Sequence, residues 1–174
     1  MWDPAETRGR RVRFLVTFAV CGGALLTLYS FPYAEDGLRE VWFARYLSAY
    51  ARLAGAFLHL FDPAVHVVGR EIVGRVSLAV AKNCDAMDVN ILFVAAVVAF
   101  PARWSRRALG VAAGTALLTA VNVVRIASLY HVDVRWPERF ELVHAELWPL
   151  VMVAVALGAF LRWSRWAEAP DAQA

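Results

Sequence analysis

From Phe14 to Phe31 the chain carries no charged residue, and the run follows directly on Arg8, Arg10, Arg11 and Arg13. About 20 apolar residues at 1.5 Å rise cross a bilayer core, and basic residues flanking such a run mark its cytoplasmic side. A signal peptide is the competing reading. The run is longer than the ~7–15 residues of a signal core, and Ser30-Phe31-Pro32-Tyr33-Ala34 offers no small-x-small cleavage site. A first span over 14–31, with residues 1–13 as a cytoplasmic tail, fits better. A chain of 174 residues with 60% hydrophobic and 19% charged residues is also too apolar for an ordinary soluble domain. Its net charge of +3 comes from arginines clustered beside apolar runs, which signals topology; nucleic-acid binding finds no support.

Residues 35–87 form an extracytoplasmic segment. Glu40 to Phe61 repeats apolar residues at three and four (Trp42, Phe43, Tyr46, Leu47, Tyr50, Leu53, Ala54, Phe57, Leu58, Phe61), with Arg45 and Arg52 off the stripe. That pattern predicts an amphipathic helix on the outer face of the membrane. Asp62 and Pro63 stop it, and Val65 to Ala81 alternates with period two around Gly69 and Gly74, predicting a short β-hairpin. A second span over 88–104, a third over 108–130, an outer loop over 131–141, a fourth span over 142–163 and a tail over 164–174 complete the chain. The expected fold is an α-helical integral membrane protein forming one membrane domain. It has about four transmembrane helices, an outer amphipathic helix and a short β-hairpin. The arginine clusters at 8–13, 103–107 and 162–165 then share one side, so both termini are cytoplasmic. Were 40–61 to cross instead, the clusters would be split.

Four spans bring three reactive side chains to one outer depth. Cys84 opens the second span among Asn83, Asp85 and Asp88, a wetter setting than that of a packing cysteine. Cys21, inside the first span, reads as packing. Two cysteines in such different settings predict neither a disulfide nor a metal site, and no cofactor is expected. Arg125 lies near the outer end of the third span, where a charge needs a partner. It snorkels or pairs with Asp85, Asp88 or Glu146, and it can at the same time serve as a fixed cation favouring the Cys84 thiolate and holding an oxyanion. His144, in the first outer turn of the fourth span, suits a general base and acid. His131 is a weaker rival, and His59 and His66 read as packing or surface groups. Asn122 shares a face with Arg125 and would orient the guanidinium or bind a substrate carbonyl. Asn83, Asp88 and Glu146 are further supporting candidates. Gly110 and Gly114 make a small-xxx-small packing face. The non-enzymatic alternative is a membrane scaffold or binding protein whose arginine and acids form a structural polar network.

Cys84 at the head of one span, Asn122-Val123-Val124-Arg125-Ile126 within the next and His144 at the start of another resemble the exosortase and archaeosortase family, especially its short exosortase H type members. The resemblance covers about 65–163. It implies a membrane cysteine transpeptidase of the bacterial inner membrane, with Cys84 as nucleophile and Arg125 and His144 as its partners on the outer face. The implied substrates are exported proteins ending in a short motif, a membrane helix and a basic cluster. Their acyl group would pass through a thioester to an acceptor that the sequence does not identify. Two departures stand out: many members have Ser-Gly or Ser-Ala after the cysteine where this chain has Asp85-Ala86, and many have about twice as many spans.

Overall fold

The computed structural model describes residues 4–30 and 38–168. Residues 1–3, 31–37 and 169–174, which include the expected start of the outer segment and the tail ends, lie outside the described residues. In chain order come α1 (Pro4–Ser30), α2 (Leu38–His59), β1 (His66–Val68), β2 (Glu71–Val73), β3 (Ser77–Ala79), a 3-10 turn at Lys82–Cys84, α3 (Met87–Ala99) and α4 (Trp104–Arg135). A 3-10 turn at Pro137–Arg139, α5 (Phe140–Leu142), a π-helical turn at Val143–Leu147 and α6 (Trp148–Glu168) follow as one helical run.

Among the described residues, three helical segments are long and apolar enough to cross a membrane: Arg8–Ser30, Trp104–Arg135 and Pro137–Glu168. The expected second span is shorter than read. Its helix α3 has 13 residues, a rise of about 20 Å against a core of about 30 Å. Pro101 has no amide hydrogen and biases Phe100 away from the helical region, so the helix stops at Ala99 although the apolar composition continues. The expected outer loop at 131–141 also contracts. Nothing in His131 to Arg135 breaks a helix, α4 runs through it, and only Trp136 separates α4 from the next helical turn.

The chain divides into two compact units, one built from 1–31, 87–118 and 153–174, the other from 32–86 and 119–152. In the first, α1 packs on α3. Phe14 and Phe100 both contact Phe160, and Phe100 also contacts Trp163. Arg106 Nη1 donates to the Ala167 carbonyl at 2.8 Å. The N-terminal part of α1, the start of α4 and the end of α6 therefore meet, which gathers all three arginine clusters at one end of this unit.

In the second unit α2 does more than lie on a surface. Leu47, Tyr50, Ala51, Ala54 and Leu58 pack with Val65, Ile72 and Val80 of the sheet region and with Ile126, Ala127 and Tyr130 of α4. Each fully buried large side chain of this kind stabilises by roughly 1.5–3 kcal/mol. Trp42, Leu53, Phe57 and Phe61 stay exposed, so the predicted stripe divides into a buried seam and an outward apolar flank. The expected hairpin is a three-stranded antiparallel meander in the order β1-β2-β3. Ile72, facing Val67 on one side and Leu78 on the other, is its buried centre. His59 Nδ1 lies 2.9 Å from the Val65 carbonyl and His66 is exposed, in keeping with their reading as packing and surface groups.

Tyr130 fastens the meander to α4, since its hydroxyl oxygen accepts the Arg75 amide at 2.9 Å. Tyr130→Phe leaves that amide short of its acceptor. We expect a loss of about 1 kcal/mol, read as a lower midpoint of thermal unfolding in detergent with no change in helix content.

Candidate active site

Val80 ends the meander with its amide bound to the Arg70 carbonyl at 2.9 Å, and the chain then tightens so that the Cys84 amide donates to Ala81 at 2.9 Å. Cys84 is half-buried, its side chain set against the core of the second unit. Across from it on α4, the fully buried Asn122 donates through Nδ2 to the Cys84 carbonyl at 2.8 Å. Asn122 Oδ1 is buried and has no hydrogen-bond partner among the described residues. The sequence reading gave Asn122 to the guanidinium or to a substrate; the geometry gives its amide to the backbone of the cysteine turn.

Arg125 is one helical turn beyond Asn122 and 5% exposed. Its charge interacts with both Cys84 and Asp85. Of the three acids read as possible partners of Arg125, Asp85 is the one that is buried, at 2% exposure, and that acts on the guanidinium. A buried cation needs a buried counter-charge, and Asp88 and Glu146 are both exposed. An anion that neutralises the arginine also explains how Asp85 is accommodated next to Cys84.

His144 approaches from the π-helical turn. One turn on, Trp148 Nε1 donates to Ser128 Oγ at 3.0 Å, and that hydroxyl donates to the Arg125 carbonyl at 2.8 Å. This chain ties the start of α6 to the α4 turn bearing Arg125. The half-buried His144 ring stacks on Phe140 at 5.6 Å and 14°, and its Nδ1 is buried without a hydrogen-bond partner among the described residues. Arg125 and Glu141 bring charges of opposite sign to bear on it. π-turns widen a helix locally and recur at functional sites.

The other predicted residues are placed differently. Glu146 is exposed and lines a surface recess with Leu142, Val143, Leu147 and Leu150. Two residues from His144, it lies off that residue's helical face; Glu141, three before, is the acid that acts on the histidine. Asp88 is exposed in the first turn of α3, where a carboxylate suits the helix dipole. The side chain of Asn83 lies outside the described residues. His131 is exposed, edge-on to Tyr130. Cys21 is half-buried on α1.

Directly after the Cys84 turn, Ala86 takes φ of +54°, a left-handed conformation that costs a non-glycine residue about 1–2 kcal/mol. Ala86→Gly should therefore keep the fold or raise its thermal midpoint slightly. Ala86→Val should lower it, and a cysteine-alkylation assay should report a displaced Cys84. No family profile, curated protein or solved structure matches the chain.

Proposed function

We propose that this chain is a membrane cysteine transpeptidase of exosortase kind, which cuts exported proteins whose C-termini carry a short motif, a membrane helix and a basic cluster. One observation carries the reading: Arg125 is within electrostatic reach of both Cys84 and His144, three residues from three separate elements within one compact unit. A fixed cation at this position can hold the oxyanion that forms on an attacked carbonyl.

In this mechanism His144 takes the Cys84 proton, and the thiolate sulfur attacks the substrate carbonyl carbon. Arg125 holds the resulting oxyanion. The C–N bond breaks as His144 returns the proton to the departing amine, leaving a Cys84 thioester. An amine or hydroxyl acceptor then attacks the thioester carbonyl while His144 takes its proton. The C–S bond breaks to release the acylated acceptor and the Cys84 thiolate, to which His144 returns the proton; water in place of the acceptor gives proteolysis. Asn122, its amide bound to the Cys84 carbonyl, fixes the turn from which the sulfur attacks.

The topology in this proposal has four crossings, both termini in the cytoplasm and the site on the outer face of a bacterial inner membrane. On α4, Arg106 and Arg125 are about 28 Å apart at 1.5 Å per residue, close to the thickness of a bilayer core. The short α3 completes its crossing with the non-helical stretch to Arg103. The test uses a chain without native cysteines, into which a single cysteine is returned. A membrane-impermeant maleimide added to whole cells should label position 84 and spare position 105. Labelling of 105 alone would overturn the topology.

The buried Asp85 favours a second reading, in which Arg125 and Asp85 form a structural polar network in a non-catalytic membrane scaffold. Co-expression with a tailed substrate separates the two, since a scaffold leaves the tail uncut.

A further inference from the structure

The first unit holds a groove that the cysteine chemistry does not use. It has a volume of about 490 Å³ and lies among α3, α4 and α6, walled by Phe93, Ala113, Leu117 and Trp163, with Arg162 and Trp166 also lining it. Among the described residues Arg162 is its only charged lining group, and no carboxylate lines it.

The walls are held by specific contacts. Trp163 Nε1 donates to the Arg106 carbonyl at 3.0 Å, and Arg106 in turn binds the Ala167 carbonyl at 2.8 Å and stacks over Trp166 at 5.4 Å. Gly110 and Gly114 permit this packing, because a Cβ on either would collide with the Trp163 indole or the Phe93 ring respectively. The small-xxx-small face thus has a use: it seats two aromatic rings, and the groove remains between them. Arg106 is occupied by helix-end carbonyls, which leaves Arg162, exposed, as the cation available to a ligand.

The groove is polarised along its length. Its lining on α4 extends from Leu109 to Leu117, a rise of about 12 Å, starting at the end of the unit where the arginine clusters gather. An occupant matching it has an anionic group at that end and an apolar chain extending inward. We propose that the groove binds an anionic phospholipid, with an acyl chain along α4 between Phe93 and Trp163 and the phosphate on Arg162. Arginine suits a phosphate because its planar fork presents paired donors. Basic pockets between membrane helices recur as anionic-lipid sites. The proposal stands apart from the cysteine chemistry.

Native mass spectrometry of the full chain in mild detergent tests it, with dioleoyl phosphatidylglycerol and dioleoyl phosphatidylcholine supplied in turn. Both lipids carry the phosphate, but the choline cation cancels the headgroup's net charge and is repelled by Arg162, so the wild type should retain the glycerol lipid about tenfold more tightly than the choline lipid. Arg162→Gln should abolish that preference, whereas Arg165→Gln, outside the lining, should keep it. Ala113→Phe fills the groove and should reduce retention of both lipids. Ala113→Leu does so more gently, and circular dichroism checks that each variant folds. Equal retention of the two lipids by the wild type would overturn the proposal. So would unchanged glycerol-lipid retention in Arg162→Gln and both Ala113 variants. Loss of a dimer in the Ala113 variants with no change in lipid retention would assign the groove to a second copy of the chain instead.

Discussion

If the chain is the proposed transpeptidase, a Cys84→Ala variant should insert and fold like the wild type yet leave a co-expressed tailed substrate uncut. Folding is spared because what ties this turn to α4 is the cysteine's carbonyl, bound by Asn122 Nδ2 at 2.8 Å, and alanine keeps that carbonyl. The side chain is only half-buried, so its removal costs on the order of 1 kcal/mol. The proposed catalysis should not be spared. Without the sulfur no thioester forms, and the rate should fall on the order of 10⁴-fold or more. Cys84→Ser keeps a nucleophile but one far less ionised near neutral pH, and it should be almost as inactive. Cys21→Ala should process normally, since that thiol sits on α1 in the first unit. Immunoblots of substrate size, with membrane levels of each variant as the control, read all three. Normal processing by Cys84→Ala would remove the nucleophile from the proposal and the transpeptidase with it.

Periodicity made much of the second unit legible. The three-and-four spacing of Leu47, Tyr50, Ala54 and Leu58 identified α2, Asp62 and Pro63 marked its end, and alternation from Val65 onward identified strands. What periodicity conveys poorly is where an apolar helix stops. The composition runs on through Phe100, but Pro101 decides the boundary, and that makes α3 short. The third strand was missed for a related reason. Ser77–Ala79 reads as the continuation of one alternating run, and only its pairing with Glu71–Val73 distinguishes a meander from a hairpin.

At the site, the order of the spans predicted one outer depth for Cys84, Arg125 and His144; what the structure shows is the three within one compact unit. Their anchors were not predicted. The bond from Asn122 to the cysteine carbonyl and the chain from Trp148 through Ser128 to Arg125 join residues distant in sequence, and no local pattern encodes them. Glu141 could have been read, because three residues before His144 is a shared helical face whereas Glu146, two after, is not.

The pair of Arg125 and Asp85 gives the most discriminating stability experiment. Both are buried, at 5% and 2% exposure, and the carboxylate's charge acts on the guanidinium. Arg125→Gln removes the cation and leaves Asp85 as a buried carboxylate without its guanidinium, a change that costs about 3–5 kcal/mol when one partner of a buried pair is lost. The variant should unfold early in detergent and accumulate poorly in membranes. Asp85→Asn alone should also destabilise, by leaving the guanidinium without that counter-charge. The double variant Arg125→Gln, Asp85→Asn carries neither charge and should recover most of the lost stability, so the cycle should show a coupling of about 1–3 kcal/mol. Activity should not follow stability. If Arg125 holds the oxyanion, the refolded double variant remains inactive, because restored packing does not replace a donor at the reacting carbonyl. If the pair is only structural, the double variant processes substrate at close to the wild-type rate. That single comparison separates a cation that acts in the chemistry from one that only holds the fold together.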